Sequence, residues 1–161
     1  MLIKNSSPKK LDTKHKRYWY HISNTLKDKK CTLIPWDNAK GFNRNELEPD
    51  INRICVSPTI QQCLTAVPYF LSSSYNIYRT KEKVAAHKPI RVFDAKITNE
   101  GWLLDTTDFI KIGSIDLNEI ESGEKIESVM HEAASRGNVR YSKKVLNWWR
   151  RIKLQRYIKK S

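Results

Sequence analysis

Short runs of β-branched and aromatic residues, each closed by a turn signal, recur from Arg17 to Leu117 around one helical stretch after Pro58, and helical spacing takes over afterwards. That order points to an α+β fold built on a small, mostly antiparallel sheet, with a helix after its middle strands and two helices at the C-terminal end. Arg17–Ser23 reads as a strand ending in a Ser-Asn-Thr turn, with His21 near its end. Residues 27–50 are rich in Asn, Asp and Pro and read as a long loop, with a short strand at Cys31–Ile34. Arg53–Ser57 is a compact strand stopped by Pro58, and Thr59 is placed to cap a helix running through Ile60, Cys63, Leu64 and Val67.

Further strands are expected at Tyr75–Thr80 and, from its alternation, at Pro89–Ile97. Gly101–Leu104 and Phe109–Ile112 should form a hairpin around the polar turn Asp105–Asp108, and Ser114–Leu117 should end the sheet. Ile126, Val129, Met130 and Ala133 then follow helical spacing, with Gly137 suited to end that helix. Ser142 can cap a last helix in which Val145, Trp148, Trp149 and Ile152 share a face.

The length of 161 residues suits one hydrophobic core, and no Gly/Pro/Ser-rich tract divides it. Residues 1–16 are expected to be a mobile basic arm and residues 17–161 a single domain ending in a basic, aromatic helix at 142–160. Without a membrane-length apolar run or an apolar signal-peptide core, the chain is expected to be cytoplasmic. Cys31, Cys55 and Cys63 fit neither a disulfide framework nor a zinc site and are expected to be reduced, partly buried thiols.

The net charge of +13 is concentrated at the ends. Residues 1–30 carry nine Lys/Arg against two acids, residues 121–161 eleven against four, and the stretch between ten against eleven. Charge placed this way suits an acidic partner better than solubility alone. The motifs that would announce a metal or a phosphate-cradling loop are missing: no His-x-x-x-His, Cys-x-x-Cys, Gly-x-Gly-x-x-Gly or Gly-Lys-Ser/Thr occurs. No metal is therefore expected. No Gly-x-Ser-x-Gly nucleophile elbow occurs either.

What remains is a series of polar residues at strand ends: His21, then Ser57-Pro58-Thr59, then Glu100 at the head of Glu100-Gly-Trp-Leu-Leu-Asp-Thr-Thr-Asp-Phe-Ile-Lys-Ile112. In this the chain resembles the ADP-ribosyltransferase superfamily. Its members carry a His or Arg on the first strand, a Ser/Thr or Tyr element after a later strand, and a Glu opening a segment of the form Glu-hydrophobic-Leu-x-x-x-Thr-x-Phe-x-Val. The resemblance covers roughly residues 18–117 and implies a split sheet and NAD as substrate. It gives Glu100 the role of the carboxylate that stabilises positive charge developing on the ribose. It further implies that His21, Ser57 and Thr59 hold the two riboses, with Tyr69, Tyr75 or Tyr78 offering a ring to nicotinamide. Thr98 stands where many members carry Gln or Glu to orient the acceptor, so the acceptor is left open. Compact proteins of this kind include host-interaction factors of phages and bacteria.

The C-terminal segment interleaves Lys143, Lys144, Arg150, Arg151, Lys153, Arg156, Lys159 and Lys160 with Trp148, Trp149 and Tyr157. Such a helix can lay cations on phosphates while rings stack on bases, which suggests a nucleic acid or an acidic, nucleic-acid-associated protein as partner. Two other readings stand beside this one. One is a non-catalytic nucleic-acid-binding protein that uses both basic ends, and the other is peripheral binding to an anionic membrane through the same helix.

Overall fold

The structure, a computed structural model, describes residues 15–36, 51–66, 73–90, 92, 95–120 and 139–161. The expected helix at Ile126–Ala133, its end at Gly137, the N-terminal arm and Tyr69 lie outside the described residues.

The fold is α+β, with mostly antiparallel strands in two sheets. In chain order the elements are β1 (Tyr20–Ser23), β2 (Lys30–Leu33), β3 (Ile54–Val56), α1 (Ile60–Ala66), β4 (Ser74–Thr80), α2 (Ala95–Thr98), β5 (Gly101–Leu103), β6 (Thr107–Asp116), α3 (Val139–Arg151) and β7 (Ile158–Lys160). β1, β4, β6 and β2 pair in that order, β7 adds to β6, and β3 pairs with β5 in a separate ribbon.

Alternation along β4 and a bulge in β6, which turns Phe109 and Ile115 to opposite faces, let one sheet serve two cores. Between Ile77 and Tyr78 the pairing with β6 slips, Ile77 facing Gly113 and Tyr78 facing Lys111, so Ile112 is the extra residue of a β-bulge. Tyr75 and Ile77 pack on one face with Ile115, Leu64 of α1, and Val145, Trp148 and Trp149 of α3. Tyr78 packs on the other with Phe109, Ile54, Val56 and Leu103, which is the face covered by the β3–β5 ribbon. The sheet is therefore sandwiched between helices and a second small sheet.

Several local expectations hold. The α1 N-terminus forms at Thr59, whose Oγ1 accepts from the Gln62 N–H (3.2 Å) and donates to Gln62 Oε1 (2.9 Å), a reciprocal cap. The strand expected over Tyr75–Thr80 is β4, and that at Cys31–Ile34 falls within one residue of β2.

Others are corrected. The strand expected over Pro89–Ile97 does not extend to its end, because Ala95–Thr98 is a helical turn whose Ile97 carbonyl accepts from Gln62 Nε2 at 3.1 Å; Arg91, Phe93 and Asp94 lie outside the described residues. β5 and β6 do not form a hairpin: β5 joins β3, residues 104–106 carry the chain from one sheet to the other, and Thr107 and Asp108 of the expected turn already belong to β6. Ser114–Leu117 is no separate strand, since β6 runs on to Asp116. Ser142 lies buried inside α3, whose helix starts earlier at Val139, and so does not cap it. Beyond Lys153 the chain is not an exposed helix end; it turns in a 3-10 segment, buries Leu154 and returns as β7 beside β6. That return needs Gly113, where an added Cβ would sit 2.7 Å from the Lys159 carbonyl oxygen.

Candidate functional site

The two sheets touch and then part at β1 and β3. Tyr20 and Ser57 exchange backbone hydrogen bonds (2.9 and 3.1 Å), and Arg53 and Trp36 do the same two pairs away (2.9 and 3.3 Å). Between these bridges the outward carbonyl of Cys55 has no backbone partner from β1. His21 fills the opening, with its Nδ1 at 3.0 Å from the Cys55 oxygen. A carbonyl can only accept, so Nδ1 carries the proton, and Nε2 of the neutral ring is left as an acceptor. The ring meets Trp36 edge-on at 5.6 Å and Phe109 at 5.9 Å between centroids.

Burial lowers the His21 pKa below its ordinary 6.5, and the hydrogen bond to Cys55 opposes that shift without cancelling it. The sign follows directly. Where the folded state binds fewer protons than the unfolded one, stability rises with pH, so His21 contributes in full above about 6.5. That contribution is lost as the pH falls from 6.5 toward the lowered value. Thermal melts should show a midpoint that drops between pH 7 and pH 5, and His21→Gln should flatten that part of the profile. An unchanged slope in His21→Gln would reject the assignment.

Glu100 approaches β3 from β5. Val56 pairs with Gly101 and Cys55 with Trp102, so one step further along the ladder Glu100 lies across from Ser57. Residues Arg53, Cys55 and Ser57 alternate onto the face shared with Glu100 and Trp102, while Ile54, Val56 and Leu103 turn into the core. The electrostatics agree with this geometry. Burial holds the Cys55 thiol well above its ordinary value, the Glu100 charge and a hydrogen bond with Glu100 push the same way, and Arg53 opposes them. Burial also drives Cys63 up to about 12, with Ser57 hydrogen bonds opposing and the Glu100 charge adding. Both thiols are protonated at neutral pH, and the Cys63 S–H donates to the Tyr20 carbonyl at 3.0 Å.

The turn into β5 aims the carboxylate. Asn99 is left-handed (φ 48°) between α2 and β5, and the Glu100 N–H donates to Thr98 Oγ1 at 3.3 Å. Gly101 then lets β5 close on its neighbours, since a Cβ there would meet Ala86 at 2.8 Å and the Trp19 ring at 2.9 Å. Asn tolerates the left-handed region better than most residues, and a β-branched side chain does not. Asn99→Gly should unfold at nearly the same denaturant midpoint as the parent, whereas Asn99→Val should cost about 1–2 kcal/mol. Equal midpoints for the two variants would show that this turn is unstrained.

No family model matches the chain, and neither a curated protein nor a solved structure matches it.

Ser57 and Glu100 thus share one face of the β3–β5 ribbon, whereas His21, one residue beyond Tyr20 on β1, turns its ring toward the Tyr78 and Phe109 side and reaches β3 at the Cys55 carbonyl. Ser57 is buried, and Thr59 uses its hydroxyl in the α1 cap. Tyr75 and Tyr78 belong to the two cores, with the Tyr78 hydroxyl donating to the Asp28 carbonyl at 2.8 Å, and neither presents an open ring face. The exposed ring beside His21 is Trp36.

Four residues of this region escape a search for motifs: Trp36, Arg53, Cys55 and Trp102. Arg53 stacks on Trp102, its guanidinium carbon 4.1 Å from the ring centroid. The period of two in Arg53-Ile-Cys-Val-Ser57 was the available signal, since it sets Arg53, Cys55 and Ser57 on one side of the strand. A cavity of about 350 Å³ opens on the far edge of β5, bordered by Lys81, His87, Trp102, Asp105 and Asp108, and includes neither His21, Ser57 nor Glu100. Its charged rim is exposed and of mixed sign, unlike the half-buried polar group at the split.

In the C-terminal segment, Trp148 and Trp149 are core residues, their rings edge to face at 4.9 Å. They are not placed to stack on bases or to enter a lipid surface. Lys143, Lys144, Arg150, Arg151, Lys153 and Arg156 are exposed. Tyr157 packs partly against the core, and Lys159 pairs with Glu119 at 2.9 Å, next to exposed Lys160. Among the described residues no helix is long and apolar enough to cross a membrane, and no three His, Cys, Asp or Glu side chains gather as metal ligands would.

Proposed function

We propose that this protein is an ADP-ribosyltransferase-like enzyme that uses NAD as its substrate, with the split between β1 and β3 as its active site. The observation that supports the reading is the placement of Glu100 across from Ser57 on one face of the β3–β5 ribbon, two residues along β3 from the carbonyl that His21 bonds. The reaction breaks the bond from the ribose anomeric carbon to the nicotinamide nitrogen, whose electron pair leaves with nicotinamide, and forms a bond from that carbon to an acceptor nucleophile.

The residues suit that chemistry. Glu100 supplies a negative charge, held in place on a β-ribbon, to a ribose that becomes positive in the transition state, and then takes the acceptor's proton. His21, neutral and locked in its Nδ1–H form, offers Nε2 to a ribose hydroxyl. Ser57, buried beside Cys63, orients Glu100 and does not react. With Tyr75 and Tyr78 in the cores, Trp36 is the aromatic face on hand for a base or a nicotinamide ring.

The test is release of nicotinamide from labelled NAD, with RNA, DNA and protein supplied as acceptors. Release that depends on the folded protein and on Glu100 supports the reading. No release above a buffer control with any acceptor overturns it.

A further inference from the structure

α3 has two chemically opposite sides. Val145, Leu146, Trp148 and Trp149 are buried, and Lys143, Lys144, Asn147, Arg150 and Arg151 are exposed. Lys143 and Arg150 lie seven positions apart on the helix, as do Lys144 and Arg151, so each pair marks a line of about 10 Å along the axis. Residues 139–161 contain no Asp or Glu, and Lys153 and Arg156 continue the exposed cations past the helix end.

From Ser142 to Arg151, no exposed residue of the helix is apolar. A protein partner is held mainly by a desolvated aromatic or aliphatic centre ringed by polar contacts, and here Val145, Leu146, Trp148 and Trp149 are spent on the core. A lipid surface likewise needs rings or aliphatic side chains to insert beneath the headgroups. Cations alone, at intervals of one or two helical turns, match a repeating line of phosphates.

We infer that the exposed face of α3 docks the sugar–phosphate backbone of a nucleic acid, reading charge and not sequence. α3 packs against α1 and α2, the two short helices that flank the Ser57 turn and lead into Glu100. A strand held on α3 is therefore held beside the elements that carry the split. Only this step of delivery rests on the enzymatic reading above; the docking itself does not.

The experiment measures binding of the full chain to a fluorescent 20-nucleotide single-stranded RNA, the matching DNA, and a duplex, across a salt series. Engagement of about four phosphates predicts a log–log slope near −3, which is a loss of roughly 50-fold between 50 and 200 mM salt. Lys143→Gln with Arg150→Gln should make the slope shallower by about 1.5 and weaken binding about tenfold at low salt. Both side chains are exposed, so melting temperature should stay at the parent value. Scrambling the oligonucleotide sequence should change nothing.

Polyglutamate and vesicles rich in anionic lipid serve as rival ligands. Binding to either as tightly as to the oligonucleotide would overturn the inference, and so would a flat salt response or full affinity in the double variant. Glu100→Gln should bind the oligonucleotide like the parent. Oligonucleotide binding with no nicotinamide release from the parent would therefore sink the enzymatic reading alone.

Discussion

Glu100→Gln is expected to lower nicotinamide release from NAD by about 10²–10³-fold while leaving the fold and the affinity for NAD close to those of the parent. The substitution keeps shape and hydrogen-bonding capacity but removes the negative charge, and that charge matters most when the ribose becomes positive. A group that acts in this way lowers kcat and kcat/KM together, with little change in KM.

The surroundings of Glu100 make the measurement clean. Its backbone is held by the Thr98 hydroxyl and by the pairing of Gly101 with Val56, neither of which involves the carboxylate. Far-UV circular dichroism and melting temperature should therefore stay near the parent values. A Glu100→Gln protein that turned over NAD as fast as the parent would remove Glu100 from the mechanism, whatever the fate of His21. A KM raised severalfold with kcat unchanged would recast Glu100 as a binding residue.

Much of this site was legible because its parts are local. Pro58 after a β-branched run and Thr59 three residues before Gln62 announce the end of β3 and the start of α1, and both signals act over a few residues. What failed was partner choice. The alternation that marks Gly101–Leu103 and Thr107–Asp116 as strands says which residues face a core, but not which strand each will lie beside. The polar run at Asp105–Asp108 looks the same whether it closes a hairpin or lies where the chain passes between sheets.

The bulge at Ile112 is equally silent. One extra residue in β6 turns Phe109 and Ile115, six positions apart, into different cores, while the period of two in β4 does the same for Tyr75 and Tyr78 and buries both rings. α2 is too short for a helical period to show, and it is fastened by a tertiary hydrogen bond from Gln62. The sequence marks Cys55 only as a reduced, partly buried thiol. Its position between Arg53 and Ser57 on the open side of β3 makes it a neighbour of Glu100, and the protonated S–H held there is suited to bonding that carboxylate.

The C-terminal segment poses the sharpest division between core and surface, and Trp149 decides it. Trp149→Ala should cost about 3–5 kcal/mol, because it opens a cavity where a fully buried ring joins α3 to β4, β6 and α1. In a chain of 161 residues that corresponds to a fall in melting temperature of about 10 °C or more. Trp149→Phe should cost much less. It keeps an aromatic ring against Trp148, and it removes an indole N–H that is buried without a hydrogen-bond partner among the described residues, which offsets part of the lost area.

The contrast between the two faces of α3 then becomes quantitative. Lys143→Gln with Arg150→Gln should change nucleic-acid affinity and not stability, while Trp149→Phe should keep its affinity as long as the protein is folded. Were the Trp pair a stacking surface for bases, the pattern would invert: Trp149→Ala would melt like the parent and lose binding. An unshifted melting curve for Trp149→Ala would therefore move the rings from the core to the interface, and the charge-only account of α3 would fall with it.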